Sequence, residues 1–416
     1  MIKENISCKK LKIILNKKTK IMKQLKQMAV FAVMVLAMAS CQKETKLLTP
    51  EETAAGKAGQ ALTNSNESGD NFGGGNKHVY TLSNQVSGNS VIVYKRANNG
   101  TLTYNASYAT GGTGTGGGLG NQDAIIMAGD DDDDDVILAV NAGSNSVSSF
   151  KINGGGLNLK STVNSGGMRP VSVAKHENIV FVLNAGGTNN ISGFKLKNNG
   201  ELEPIANSTR PLSAASTGPA QVSFINEGKV LVITEKATNK IITYTVNEWG
   251  IPGTMHSITS SSPTPFGFAT AENRNIFVSE AVGGAPGASV LSSYHISNNG
   301  SITLVNGSVG AGQSAACWVV ITNNKKYAYT TNTASNNLTN FNVNTNTGSI
   351  SVNTAIAATT GMGPIDAALN NNSKYLYILN GASHTIGVYA VAHNGSLSLL
   401  QTVTGVPTGA TGLTAR

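Results

Sequence analysis

The chain has 416 residues, with 30 Lys and Arg against 22 Asp and Glu. Nine of those basic residues but only one acidic residue, Glu4, lie in residues 1–40, so the remainder carries 21 of each sign. That balance argues against the clustered basic face of a nucleic-acid binder. The low charge (12%) and 47 glycines argue against a chain built of long helices.

Residues 22–41 read MKQLKQMAVFAVMVLAMASC. Lysines come first, then an apolar run from Met28 to Met38, then Ala39-Ser40-Cys41. A basic start, a short apolar stretch and small residues at the break make a secretory signal over residues 1–40. The apolar run is shorter than the roughly 20 residues a membrane span needs. A Cys directly after the small residues resembles the lipobox of bacterial lipoproteins, which implies that Cys41 is lipidated and begins the mature protein. Residues 41–77 are polar, rich in Gly, Ser, Thr and Asn, and read as a flexible tether. Cys8 leaves with the signal, and Cys317, in the apolar stretch AACWVV, reads as a buried structural thiol without a disulfide partner.

From residue 78 onward the chain repeats itself. A strand with an aliphatic residue three positions before an aromatic recurs seven times, ending at Tyr94, Phe150, Phe194, Tyr244, Tyr294, Phe341 and Tyr389. Each copy is followed by a turn glycine: Gly100, Gly155, Gly200, Gly250, Gly300, Gly348 and Gly395. Each is preceded by a strand ending in Asn or Glu, at Asn84, Asn141, Asn184, Glu235, Glu280, Asn332 and Asn380, with spacings of 57, 43, 51, 45, 52 and 48 residues. Periods of this size, with period-2 strands and no helical periodicity, predict propeller blades. The expected fold is all-β: a seven-bladed β-propeller of four-stranded antiparallel blades over residues 78–416. Inner strands are expected near DAIIMA, RPVSVA, GPAQVSF, TPFGFAT, AACWVV and GPIDAAL. Blade one lacks such a segment ahead of HVYTLSN, so the C-terminal stretch Pro407–Ala415 is expected to close the ring. Pro252, in blade four, is expected to start an edge strand. The third-strand aromatics are expected to pack between blades.

The stretch ILAVNAGSNSVSSFKI, the Gly-Pro before inner strands and seven repeats of this pattern resemble the lactonase family of seven-bladed propellers, which includes bacterial 6-phosphogluconolactonase and the fungal carboxymuconate lactonizing enzyme. The resemblance covers residues 78–416 and implies the fold more firmly than a reaction. Related enzymes resemble GPRH where this chain has Gly218-Pro219-Ala220-Gln221, and an HPH-like motif where it has Met168-Arg169-Pro170-Val171. The family's acidic residue at the end of the following strand corresponds to Glu235.

Propeller geometry places the loops after second strands and the linkers into inner strands on one face. Asn141, Asn184, Glu235, Glu280, Asn332 and Asn380 are expected there, with Asp123, Arg169, Gln221 and Asp366 at inner-strand starts. Opening a lactone needs a base for water and donors for the developing oxyanion. The expected catalytic set is Glu235 as base, Gln221 as donor and Arg169 as cation. Glu280 is a second carboxylate able to raise the pKa of the first, and the other residues are substrate contacts.

Other features read as ordinary structure. Six consecutive aspartates (Asp130–Asp135) lack the alternating ligands of a Ca²⁺ loop and read as a solvated turn. The run GGTGTGGGLGN (Gly111–Asn121) has neither the Lys-Ser/Thr nor the helix of a phosphate loop and needs only flexibility. His78, His176, His256, His295 and His384 are scattered without metal-ligand spacing. Trp249 is expected at the surface and Trp318 in packing. Neither cofactor nor metal is expected. The sequence predicts a monomeric lactone hydrolase of the bacterial cell envelope, held to the membrane only by its lipid. The alternative is a non-catalytic propeller binding glycan, peptide or protein at the channel mouth.

Overall fold

The computed structural model describes residues 77–129, 136–153 and 156–416, with the backbone alone of Glu272. The signal, Cys41, the tether, Gly155 and the aspartate run fall outside the described residues.

Seven sheets follow one another around the chain. Blade two shows the plan: inner strand Ile125–Ala128, second strand Val136–Asn141, third strand Ser146–Asn153 and outer strand Gly156–Asn164, all antiparallel. The other inner strands are Met168–His176, Pro219–Ile225, Pro265–Thr270, Ala316–Ile321, Pro364–Leu369 and, for blade one, Thr411–Ala415. The described residues contain just two helical pieces, 3₁₀ turns at Glu272–Arg274 and Val282–Gly284.

Burial follows position within the blade. Second strands are covered on both faces by neighbouring blades, so VILAVN and VLVITE are buried at every residue and read as continuous apolar runs. Outer strands face solvent on one side, and Leu102–Ala109 and Pro252–Thr259 are mostly exposed. Pro252 begins its outer strand, where the missing N–H has no ladder partner to lose. Blade three departs from the plan: its outer strand is split into Leu202–Pro204 and Arg210–Pro211. Pro204 lacks a donor and Asn207 sits at φ 61°, so the strand cannot run through.

The repeating aromatics lie between blades as expected. Tyr94, Phe150, Phe194, Tyr244, Tyr294, Phe341 and Tyr389 are all at most 3% exposed. The repeating turn glycine docks against the preceding blade, a role the repeat pattern alone does not reveal. The carbonyl oxygens of Gly100, Gly200, Gly300 and Gly395 accept hydrogen bonds from Tyr377, Ser149, Thr243 and Tyr329 respectively. A Cβ on Gly100 would lie 2.2 Å from the Tyr375 ring, and its φ is +87°. The turn therefore needs glycine for contact as well as for dihedral angle.

The ring closes through the C-terminus. Thr411–Ala415 pairs antiparallel with His78–Leu82, the second strand of blade one. The Thr81 hydroxyl donates to Gly412 O at 2.6 Å, and the Arg416 amide donates to His78 O at 3.0 Å.

Candidate functional site

A residue in the left-handed region lies at or shortly before the start of each inner strand: Gly120 (φ 63°), Arg169 (53°), Gly218 (56°), Thr264 (64°), Ala315 (54°), Gly363 (62°) and Gly409 (83°). In the blades that start at 169, 218, 264, 315 and 363 the register then slips, which is a β-bulge at the mouth of the strand. The third residue after each left-handed position forms one ring about the axis: Asp123, Ser172, Gln221, Gly267, Trp318, Asp366 and Gly412. Bonds between blades tie this ring together. Gln221 Nε2 donates to Asp123 Oδ2 at 2.6 Å, and Gln221 Oε1 accepts from the Phe268 amide at 2.6 Å. Ser172 Oγ accepts from the Val222 amide at 3.1 Å.

Two carboxyls flank Gly412, which has no side chain to separate them. Burial pushes the half-buried Asp123 up to about 7, with the Gln221 amide pulling the other way. Asp366 is 2% exposed; its Oδ1 accepts from the Ala367 amide at 2.8 Å, and its Oδ2 has no hydrogen-bond partner among the described residues. Burial raises its pKa well above the usual range; the Ala367 amide opposes the shift and the neighbouring Asp123 charge adds to it. A carboxyl raised in the folded state stabilises it most below its unfolded value, 3.8 for Asp123, and that contribution is lost as pH rises through the folded value, about 7 for Asp123. The melting temperature is therefore expected to fall between pH 5 and pH 8, with Asp123→Asn flattening the slope in a thermal melt series. Glu280, also raised by burial, keeps part of the slope in that variant.

The Gly-rich linker from blade one to blade two lies across the entry face of this ring, where it was expected only to be flexible. Its glycines permit close backbone contact: the Gly114 amide donates to Gln85 O and the Gly116 amide to Asn84 O, both at 2.8 Å. A Cβ on Gly114 would lie 2.1 Å from the Asn84 backbone. The linker's end then bonds to three blades. Asn121 Nδ2 donates to Val171 O, and Asn121 O accepts from Trp318 Nε1 at 2.8 Å. Gln122 Nε2 donates to Val319 O at 2.9 Å, its Oε1 accepts from the Val319 amide at 3.1 Å, and its own amide donates to Ala220 O. Gly267 makes room, since a Cβ there would lie 2.1 Å from Gln122 Oε1. Lys236 caps the arrangement, bonding Gly120 O and standing 4.5 Å over the Phe266 ring, which packs on Trp318. Asn121 and Gln122 were not singled out in the sequence; the Asn-Gln-Asp that ends the Gly run was the available signal.

The other expected site residues are placed differently from the expectation. Asn141, Asn184, Glu235, Glu280, Asn332 and Asn380 are all at most 1% exposed. The asparagines tie the turn between second and third strands, and the glutamates bond to groups packed beside it. Asn141 donates to Ser146 and Ser148, Asn184 to Asn190, Asn332 to Asn337 and Thr339, and Asn380 to Thr385. Glu235 Oε1 accepts from the Ser213 amide, and its Oε2 accepts from the Ser213 and Thr238 hydroxyls. Both oxygens are engaged by neighbouring groups. Glu280 accepts from Ser292 and Tyr294, each at 2.7 Å. A polar side chain here satisfies turn groups that would otherwise be buried unpaired, which is why Asn and Glu recur. Arg169 is exposed; its amide bonds Asn145 Oδ1, and among the described residues no hydrogen bond or ion pair joins its side chain to Glu235 or Gln221. Only Gln221, Asp123 and Asp366 come together. Among the described residues no three His, Cys, Asp or Glu side chains form a metal-binding group.

Fold and site define a seven-bladed propeller with a polar axial channel. The family model for the seven-bladed β-propeller lactonases matches residues 76–280 and 302–412. The chain belongs to that family. No curated protein matches it significantly. Among solved structures it is similar to a candidate 6-phosphogluconolactonase from Bacteroides uniformis (18% identity, TM-score 0.64, covering 80% of this chain and 99% of that one). It is also similar to a Lactobacillus plantarum protein (16%, 0.65, 82% and 99%) and to the periplasmic gluconolactonase of Pseudomonas aeruginosa (15%, 0.60, 80% and 98%). At these identities the likeness establishes the fold.

Proposed function

We propose that this protein is a lactone hydrolase of the bacterial cell envelope, acting on a sugar lactone or a related small ester. The observation that carries this reading is Asp123: a half-buried carboxyl raised to about 7, oriented by Gln221 and facing a cavity. A carboxylate that ionises near neutral pH suits a general base. Asp123 takes a proton from water as the water oxygen bonds to the lactone carbonyl carbon. The ring C–O bond then breaks, and the proton passes to the departing alkoxide. Burial and the nearby Asp123 charge disfavour ionisation of Asp366, so the two carboxyls do not readily carry charge together.

The test is turnover of a panel of γ- and δ-lactones. Asp123→Asn is expected to lose about 10²–10⁴-fold in rate, while Glu235→Gln lowers stability and leaves the rate per folded molecule unchanged. Equal rates for wild type and Asp123→Asn, or no turnover above the uncatalysed reaction, would leave a binding role. That second reading, a propeller that recognises a glycan, peptide or envelope protein, draws support from the many entry-face side chains engaged within the blades.

The envelope location rests on the N-terminal segment. Cys41 carries the lipid in this reading, and the tether joins it to the propeller. Cys41→Ser is expected to move the protein from the membrane to the soluble fraction on cell fractionation; a variant that stays with membranes as wild type does would sink the lipid anchor.

A further inference from the structure

We infer that small ligands reach Asp123 from the face opposite the one used by the linkers, through a cavity between blades two, three and four, while Leu119–Gln122 closes the entry face. The closure has the character of packed structure. Leu119, Asn121 and Gln122 are 7%, 1% and 6% exposed, and the bonds of Asn121 and Gln122 reach blades three, four and six. A ligand entering there would have to break a buried amide pairing with Val319 and leave its groups unmet, which is costly.

Among the described residues the far side is open. A cavity of about 430 Å³ lies at the C-terminal ends of three inner strands, and Asp123 forms part of its wall. Ile126, Val173 and Phe224 give it apolar sides, with Lys175 and His176 also lining it. Apolar sides beside Lys175, His176, Glu177 and Ser223, around a carboxyl of perturbed pKa, make a mixed wall suited to a polar small molecule. The volume suits a single ring with its substituents, so the lactone of the proposed reaction would be of monosaccharide size. That last step rests on the hydrolytic reading; the route does not.

Carbodiimide coupling of glycine ethyl ester to carboxyls, mapped by peptide mass spectrometry on the full-length protein, tests the route without turnover. The exposed Glu201 sets the upper limit of labelling and Asp366 the lower. Wild-type Asp123 is expected to label well above Asp366. Ser223→Trp, which fills the cavity, is expected to bring Asp123 down to the Asp366 level, and Gln122→Ala to leave it unchanged. Should Ser223→Trp misfold, Ala128→Trp on the cavity wall replaces it with the same expected loss. Unlabelled Asp123 in wild type, labelling indifferent to the Trp variants, or a rise toward Glu201 in Gln122→Ala would each overturn the inferred route. A protein without lactone turnover that still shows the expected pattern would fail the hydrolytic reading alone.

Discussion

A chain ending at Gly405 is expected to be insoluble, or to melt far below the intact protein. It lacks the inner strand of blade one, including the buried Ala410, Leu413 and Ala415. Burying Leu413 alone is worth about 1.5–3 kcal/mol. The larger loss is topological. His78–Leu82 would lose its pairing with Thr411–Ala415 and present an open strand edge, and unpaired edges recruit other chains. Blade seven also loses its neighbour, because Ala368, Tyr377 and Leu379 pack in one cluster with Leu413. Soluble yield and a thermal melt read the effect. A truncated protein that stays monomeric with unchanged melting would disprove closure by the C-terminal strand.

Gly100→Ala should be a strongly damaging single methyl group. At φ +87° an alanine is strained by about 1 kcal/mol. Its Cβ would also sit 2.2 Å from a ring carbon of Tyr375. Moving that ring endangers the 2.7 Å bond from Tyr375 Oη to Asn98 O and the neighbouring bond from Tyr377 to Gly100 O. Overpacking of this kind costs about 1–3 kcal/mol, giving an expected total of about 2–4 kcal/mol in chemical denaturation. Gly117→Ala is the control. It lies in the Gly-rich linker at negative φ with nothing within 4 Å of its Cβ, and should be nearly neutral. Equal losses for both would show that glycine here serves only chain flexibility.

The two variants probe features that differ in how far the sequence reveals them. Repeat length, strand grammar and the missing inner strand of blade one are local patterns, each legible within one repeat of 43 to 57 residues. They were sufficient for the blade count, for Pro252 at an edge and for the interblade aromatics, because a propeller blade contacts mainly its neighbours. The split outer strand of blade three was less legible, since Pro204 alone does not say where the chain resumes pairing.

The site was legible only in part. Asp123, Gln221 and Asp366 could be named because inner-strand starts can be aligned by eye. The Asn and Glu ending second strands occupied comparable positions, yet they are buried and sealed by hydroxyls and amides 7 to 22 residues away. Sequence position places a residue on a face of the blade; burial depends on what the next blade lays over it.

Sequence by itself determined the propeller, its seven blades, its closure by the last strand and the family it resembles, because all of these follow from a short pattern repeated in order. Tertiary structure alone decided what fills the axis. Gln122 meets Val319 across 197 residues, and Gln221 meets Asp123 across 98. Neither pairing has a periodic signature. Both exist because ring closure brings seven strand starts to one point, where a missing side chain at Gly267 or Gly412 leaves room for an amide or a pair of carboxyls.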